Sequence, residues 1–195
     1  YIAGQAALAL EVAERRLRGS RYKVPRQVSK QIRASERYKQ GLLKIEKETG
    51  ESEAQLRDRA MPIFKELVAT PHNFWQDVMA GFNRKVISLG YENELVVDQE
   101  RLMRFRQIVR EHPAALLWTH KTHMDGMTIQ SVLFENDFPT PHIMGGINMA
   151  FAGLGFLARR SGAIFIQRSF QDNHLYKLVL RNYLAYLLEK RFPLT

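Results

Sequence analysis

Two residues able to handle a proton, His120 and Asp125, lie five positions apart in the segment 118–126, WTHKTHMDG. A neutral imidazole is the usual group for taking a proton from an alcohol near neutral pH. A carboxylate bonded to its second nitrogen fixes the tautomer and stabilises the imidazolium. Five residues rotate by about 500° in a straight helix, so the two side chains would not share a helical face. The pairing therefore requires His120 in a loop and Asp125 in the first turn of the following helix.

Each of these residues also has another interpretation. Asp125 could serve only as a helix N-cap, and His120 could be an ordinary loop histidine. Together with His123 they could also form a metal site. The spacing differs from the H-x-H-x-D-H of metallo-β-lactamase-type hydrolases, because two residues separate the histidines and Gly126 takes the last histidine's position. Since the chain also has no cysteine, we expect no metal.

Two further segments downstream complete the candidate site. Gly145-Gly146-Ile147-Asn148 predicts a tight turn, which Asn148 could bridge with its side chain or merely shape. The apolar run 163–167 predicts a buried strand and is followed at once by Arg168, either a functional cation or a strand-end surface residue. The order of the three segments is what favours a common site.

The pattern of apolar residues predicts a helical region over 1–97 and an α/β domain over 98–195. In the second part, strands alternate with helices, and we expect a mixed sheet covered by helices. Predicted helices span 1–18, 26–49, 51–70, 74–89, 99–111, 125–136, 149–160 and 173–191, and predicted strands span 114–119, 142–144 and 163–167.

Positive charge is concentrated near the start of the chain. The net charge is +9, and the segment from Arg15 to Lys44 holds eleven Lys or Arg against the single acid Glu36. That segment carries +10 and the remainder −1. A basic block of this kind fits an anionic membrane surface, a nucleic acid, or simply a solvated helical face.

The segments 119–126, 141–148 (PHIMGGIN) and 162–170 (GAIFIQRSF) together resemble the first two sequence blocks of the glycerol-3-phosphate acyltransferases. The resemblance is greatest to the long, membrane-bound bacterial type, in particular its actinobacterial members. It is specific over about 113–195 and weaker over the helical N-terminal half. The chain starts at Tyr1 and ends near the strand that would introduce a third block, so we expect it to be part of a longer protein.

The resemblance implies transfer of a fatty acyl group from acyl-CoA or acyl carrier protein to the sn-1 hydroxyl of glycerol 3-phosphate. It implies that His120 is the general base, that Asp125 orients it, and that Arg168 binds the acceptor phosphate. Gln167 stands where the family often has a second basic residue, and its amide can still donate hydrogen bonds to phosphate. Gly126, Gly145, Gly146 and Asn148 would be supporting residues.

No cofactor is implied beyond the acyl thioester, which is a substrate. The expected location is the cytoplasmic face of the cell membrane, as a peripheral or monotopic protein on an anionic surface, with no nucleic acid partner. Two alternatives stay open. The same chemistry could act on dihydroxyacetone phosphate or a lysophospholipid, or the chain could be a non-catalytic module whose basic block binds membrane or nucleic acid.

Overall fold

The computed structural model describes residues 2–91, 95–119, 121–147, 154–170 and 172–195. Most of them are helical. The helices are α1 (Ile2–Arg18), α2 (Val28–Ala34), α3 (Glu36–Thr49), α4 (Glu53–Leu67), α5 (Asn73–Gly90), α6 (Gln99–Glu111), α7 (His123–Glu135), α8 (Leu154–Arg160) and α9 (His174–Glu189). Two short strands, β1 (Met144–Gly146) and β2 (Ile164–Ile166), lie between α7 and α9 in the sequence.

Polar caps explain where several helices begin and end. The predicted helix over 26–49 is divided, because the side chain of Ser35 accepts a hydrogen bond from the backbone N–H of Tyr38 and starts α3 there. Gly50 ends α3 in the left-handed conformation, with φ of 74°. Asp98 is the N-cap of α6, immediately before the helix predicted over 99–111.

The strands pair in parallel, with Met144 opposite Ile164 and Gly146 opposite Ile166. Isolated parallel bridges join Leu194 to Ala115 on one side and to His142 on the other. Across the described segments the order is therefore 115, 194, β1 and β2, all running in the same direction. The chain end at 193–195 thus occupies a position between the segment at 115 and β1.

The predicted alternating mixed sheet is not confirmed. The regular sheet among the described residues has two strands, and the pairs found there are parallel. The buried strand predicted over 114–119 is wrong in extent, since only Ala115 bridges and the side chain of Leu117 is 96% exposed. Apolar composition alone predicted burial there, whereas burial requires a neighbour on each face.

The main hydrophobic core lies between the N-terminal helices and the last helix. Side chains of α3 and α4 meet α9 and β2 in one continuous cluster that includes Tyr38, Phe64, Ile164, Tyr176 and Tyr183. A smaller cluster lies beneath α6 and α7, around Val109, Leu133 and Phe138. Since the main core crosses position 97, the N-terminal helices help to hold β2 in place.

Helix α5 has a reversed distribution of polarity. Its buried face, which lies against α7, carries the polar residues Asn73, Gln76 and Asn83, and Asn83 bonds to Gln130 at 3.2 Å. Its outer face exposes an apolar stripe, consisting of Phe74, Val78, Phe82 and Leu89. Among the described helices none is both long and apolar enough to cross a membrane.

Candidate active site

Parallel pairing brings the predicted site segments to one edge of the sheet. The chain leaves the segment at Ala115, strand β1 at Gly146 and strand β2 at Ile166 in the same direction. Residues that follow the carboxyl ends of parallel strands face a common crevice, where ligands usually bind in such sheets. Neighbouring strands are about 4.8 Å apart, so the three exits fall within roughly 15 Å.

Asp125 lies in the first turn of α7, as the proposed pairing requires. Its Oδ2 accepts hydrogen bonds from the backbone N–H of Lys121 at 2.6 Å and of Thr122 at 2.7 Å, and its Oδ1 accepts one from the Thr122 hydroxyl at 3.2 Å. Thr122 is the N-cap and Asp125 the third residue of a capping box. The alternative interpretation of Asp125 as the N-cap is therefore wrong, because the N-cap is Thr122, three positions earlier. These bonds hold the carboxylate against the loop that precedes the helix.

Two of the predicted site residues, His120 and Asn148, lie outside the described residues. The described neighbours of His120 are Thr119, which is exposed, and Lys121, whose backbone N–H binds Asp125. The described part of the chain contains no group of three His, Asp or Glu side chains arranged to hold a metal ion.

The predicted glycines take up different places. Gly126 is helical, and a β-carbon added there would meet the ring of Trp118 at 3.7 and 3.8 Å, an ordinary contact. Gly145 and Gly146 form part of β1, opposite Phe165 and Ile166, so the prediction of a tight turn at these two residues is wrong. The segment from Met144 to Gly146 is too short to show the apolar–polar alternation of a strand. Its pairing with β2 was needed to define it as one.

Arg168 follows β2 at the shared edge. Its side chain is exposed, and it makes no hydrogen bond or ion pair with any other residue that the structure describes. An arginine in this state can hold two oxygens of a phosphate through charge-assisted hydrogen bonds.

Gln167 is tied to the helices behind the sheet. Its backbone N–H donates to the hydroxyl of Tyr176 at 3.0 Å, and its side-chain Nε2 donates to Oε2 of Glu66 at 2.8 Å. The Tyr176 hydroxyl in turn donates to Oε1 of Glu66 at 3.3 Å. Glu66 and Tyr176 were missed by sequence reasoning, because no motif links positions 66, 167 and 176.

These contacts also set the protonation of the tyrosine. Burial raises the pKa of Tyr176, the hydrogen bond from Gln167 lowers it, and the negative charge of Glu66 raises it again. The hydroxyl is therefore protonated at neutral pH and remains a donor to Glu66.

Comparison with known families defines the class of this domain. Residues 96–192 match the family model described as Acyltransferase. The match covers α6 to α9 together with β1 and β2, and so includes Asp125, the two strand ends and Arg168. Over these residues the chain matches the acyltransferase family, and the match agrees with the class of enzyme inferred from the sequence motifs.

The similarity extends to particular proteins. Relatives described as "Putative acyltransferase plsB1", from Mycobacterium bovis and from two strains of Mycobacterium tuberculosis, are each 28% identical to this chain over 158 residues. The matched part is 81% of this chain and 25% of each relative. The chain thus spans about a quarter of the length of these relatives.

Proposed function

We propose that the protein transfers a fatty acyl group from acyl-CoA or acyl carrier protein to the sn-1 hydroxyl of glycerol 3-phosphate, producing lysophosphatidate. The observation that carries the proposal is the position of Asp125. Its carboxylate is fixed by the backbone N–H groups of Lys121 and Thr122, immediately after position 120. The acyltransferase match of residues 96–192 supports the same chemistry.

In the proposed reaction, His120 removes the proton from the acceptor hydroxyl as the oxygen attacks the thioester carbonyl. The new C–O bond forms a tetrahedral intermediate, which collapses with cleavage of the C–S bond. The thiolate leaves and takes the proton from the imidazolium, so the enzyme returns to its starting state. Asp125 stabilises the imidazolium in between, and no acyl-enzyme is required.

The acceptor phosphate would lie near the end of β2. Arg168 is exposed there, close to the carboxyl ends of the parallel segments, and its charge suits a phosphate. The side-chain amide of Gln167 is engaged with Glu66, so in this arrangement its backbone position, more than its amide, supports phosphate binding.

A related acceptor is the second candidate. Dihydroxyacetone phosphate and lysophospholipids carry the phosphate and hydroxyl that the same residues would recognise. Competition between glycerol 3-phosphate and each of these acceptors, measured by the acylated product formed from each, separates the possibilities. Preferential acylation of one of them over glycerol 3-phosphate would reassign the acceptor.

We further propose peripheral binding at the cytoplasmic face of an anionic membrane. The basic segment from Arg15 to Lys44 supplies positive charge for the anionic headgroups. The outer stripe of α5 supplies apolar side chains that can insert into the headgroup region. The end of α5 lies beside α7, since a β-carbon on Gly90 would meet the Met124 side chain at 3.4 Å. A membrane on this stripe would therefore be near the candidate catalytic loop.

Flotation with anionic vesicles tests the membrane contact. Replacing Phe74 and Phe82 by Gln should reduce the floated fraction, whereas replacing the exposed Ile108 of α6 by Gln should not. A mobility shift with an oligonucleotide serves as the counter-test. Nucleic acid binding without thioester turnover would favour the non-catalytic module instead.

Turnover by a His120→Ala variant of the full-length protein tests the central proposal. Loss of the base should abolish glycerol-3-phosphate-dependent thioester cleavage while the circular dichroism spectrum and the melting temperature stay as in the wild type. Near-normal turnover in this variant would exclude the assigned mechanism.

A further inference from the structure

Behind the end of β2, Gln167 and Tyr176 form a closed ring of hydrogen bonds with Glu66, which lies 101 positions before Gln167. The Gln167 backbone N–H donates to the Tyr176 hydroxyl, Tyr176 donates to Glu66, and Glu66 accepts from the Gln167 side chain. Glu66 belongs to α4, Gln167 follows β2, and Tyr176 belongs to α9. Both the main chain and the side chain of Gln167 are thereby attached to the helical layer.

We infer that Glu66 and Tyr176 are positioning residues for Arg168, acting through Gln167. This inference rests on the proposed function, in which Arg168 binds the acceptor phosphate. Neither residue touches the acceptor. They determine where the backbone stands one position before the arginine.

The ring is well placed to act in this way. Tyr176 is only 1% exposed and packs against Phe170 at a ring-centroid distance of 5.1 Å, so its hydroxyl has little freedom to move. Arg168 has no partner among the described residues, and its own side chain therefore contributes no anchor. The direction in which the guanidinium leaves the sheet depends on the backbone that the ring holds.

The ring also gives the N-terminal helices a role in acceptor binding. Glu66 lies near the end of α4, which packs against β2 and α9 in the main core. A carboxylate at this point accepts from two neutral donors at once, which a shorter or apolar side chain could not do.

Helix α9 offers a matched control. Tyr183 is also fully buried, and its hydroxyl accepts a hydrogen bond from the backbone N–H of Ala69 at 3.1 Å. Tyr176→Phe and Tyr183→Phe each remove a buried hydroxyl that accepts from a backbone amide. Only the first of these amides belongs to the ring beside Arg168.

Steady-state kinetics of the full-length enzyme test the inference. Tyr176→Phe should raise KM for glycerol 3-phosphate about tenfold, because loss of the hydroxyl breaks the ring of hydrogen bonds. The value of kcat and the KM for the acyl donor should be nearly unchanged. Tyr183→Phe should lower the melting temperature to a similar degree without changing the acceptor KM. Equal acceptor KM values for the two variants would overturn the inference.

Substitutions of Glu66 separate geometry from charge. Glu66→Gln can keep the ring, because its carbonyl can accept from Tyr176 while its NH2 donates to a flipped Gln167 amide. Its acceptor KM should remain close to that of the wild type, whereas the acceptor KM of Glu66→Ala should rise as in Tyr176→Phe. A normal acceptor KM for Glu66→Ala would contradict a positioning role.

A double-mutant comparison with Arg168→Ala examines whether the ring acts through the arginine. If it does, adding Tyr176→Phe to Arg168→Ala should change the acceptor KM by less than about twofold. Full additivity would refute action through Arg168. The wild-type enzyme and His120→Ala are run in parallel, so that a failure of the proposed function appears as absent or base-independent turnover rather than as an unchanged KM.

Discussion

Oδ2 of Asp125 lies 2.6 Å from the backbone nitrogen of Lys121, four residues earlier in the chain. A second amide, that of Thr122, binds the same oxygen at 2.7 Å. This carboxylate thus closes the loop before α7 and at the same time lies at the positive end of the helix dipole, where negative charge is favoured. Its structural and its proposed catalytic role therefore depend on the same atoms.

Asp125→Asn should separate the two roles. The amide oxygen can still accept one of the backbone hydrogen bonds, so we expect a loss of about 1 kcal/mol in the free energy of unfolding. Turnover should fall by about 10²- to 10⁴-fold, because the imidazolium loses its charged partner. The measurements are urea unfolding and thioester consumption.

Asp98→Asn is the matched control for this change. Asp98 caps α6 by accepting from the backbone N–H of Arg101 at 3.0 Å, and it lies outside the proposed site. A similar loss of stability with normal turnover is the expected result. Turnover of Asp125→Asn within a few-fold of wild type would rule out the orienting role.

Arg168→Ala should weaken acceptor binding without destabilising the protein. The side chain is exposed and makes no hydrogen bond or ion pair with any other described residue, so the melting temperature should not change. Loss of the charge-assisted hydrogen bonds should raise the acceptor KM by about 10- to 100-fold, and Arg168→Lys should recover only part of it. Arg181 is also an exposed cation but belongs to α9, and Arg181→Ala should leave the acceptor KM unchanged. Equal KM values for the two alanine variants would remove Arg168 from the acceptor site.

His142 should make stability depend on pH. It is 1% exposed and packs edge-on against Phe192, and both of its ring nitrogens lack a hydrogen-bond partner among the described residues. Burial, and to a smaller extent the charge of Lys23, lower the pKa of His142 to about 3. The unfolded chain, with an ordinary histidine pKa near 6.5, takes up the proton first, so stability falls as the pH drops from about 6.5 towards 3.

The size of this effect can be measured against a variant without the imidazole. Between pH 7.5 and pH 5 the histidine should cost about 2 kcal/mol of unfolding free energy. His142→Leu should remove that part of the pH dependence, whereas replacing the exposed His112 by Gln should not. An identical slope for wild type and His142→Leu would disprove the assignment.

Gly126→Ala should be tolerated by the fold. Among the described residues, the added methyl group would meet only the Trp118 ring, at van der Waals distance. Alanine stabilises a helix relative to glycine by about 0.5–1 kcal/mol. Gly162→Ala provides the contrast, because Gly162 has a φ of 105° and a β-carbon there would lie 3.3 Å from the Pro141 carbonyl oxygen. Unfolding should show the first variant at least as stable as wild type and the second less stable. A destabilised Gly126→Ala would show that the glycine is required by the fold. A stable variant with reduced turnover would indicate that the glycine is required for the substrate to fit.

Local patterns predicted the helices and strand β2 well, since the strand predicted over 163–167 contains Ile164–Ile166, and the other strands poorly. Helix signals such as Asp98, Gly50 and the apolar periodicity of α9 act over three or four residues, so they can be read from the chain alone. The strands are three residues long and exist only through pairing with distant segments. This is why Gly145 and Gly146 were taken for a turn, and why the run at 114–119 was expected to be a buried strand.

By itself, the sequence determined the order of the site segments, since the spacing of His120 and Asp125 and the block ending at Arg168 are properties of the chain. The resemblance of these segments to the acyltransferases indicated the class of enzyme. The sequence also determined that Asp125 falls in the first turn of α7, through short-range helix signals. Only the tertiary structure decided that the segments leave a parallel sheet at one edge. It also decided that Glu66 and Tyr176 hold Gln167 beside the phosphate-binding candidate. The contact between Glu66 and Gln167 joins residues 101 positions apart, and hydrogen bonding and burial between such residues arise only when the chain has folded.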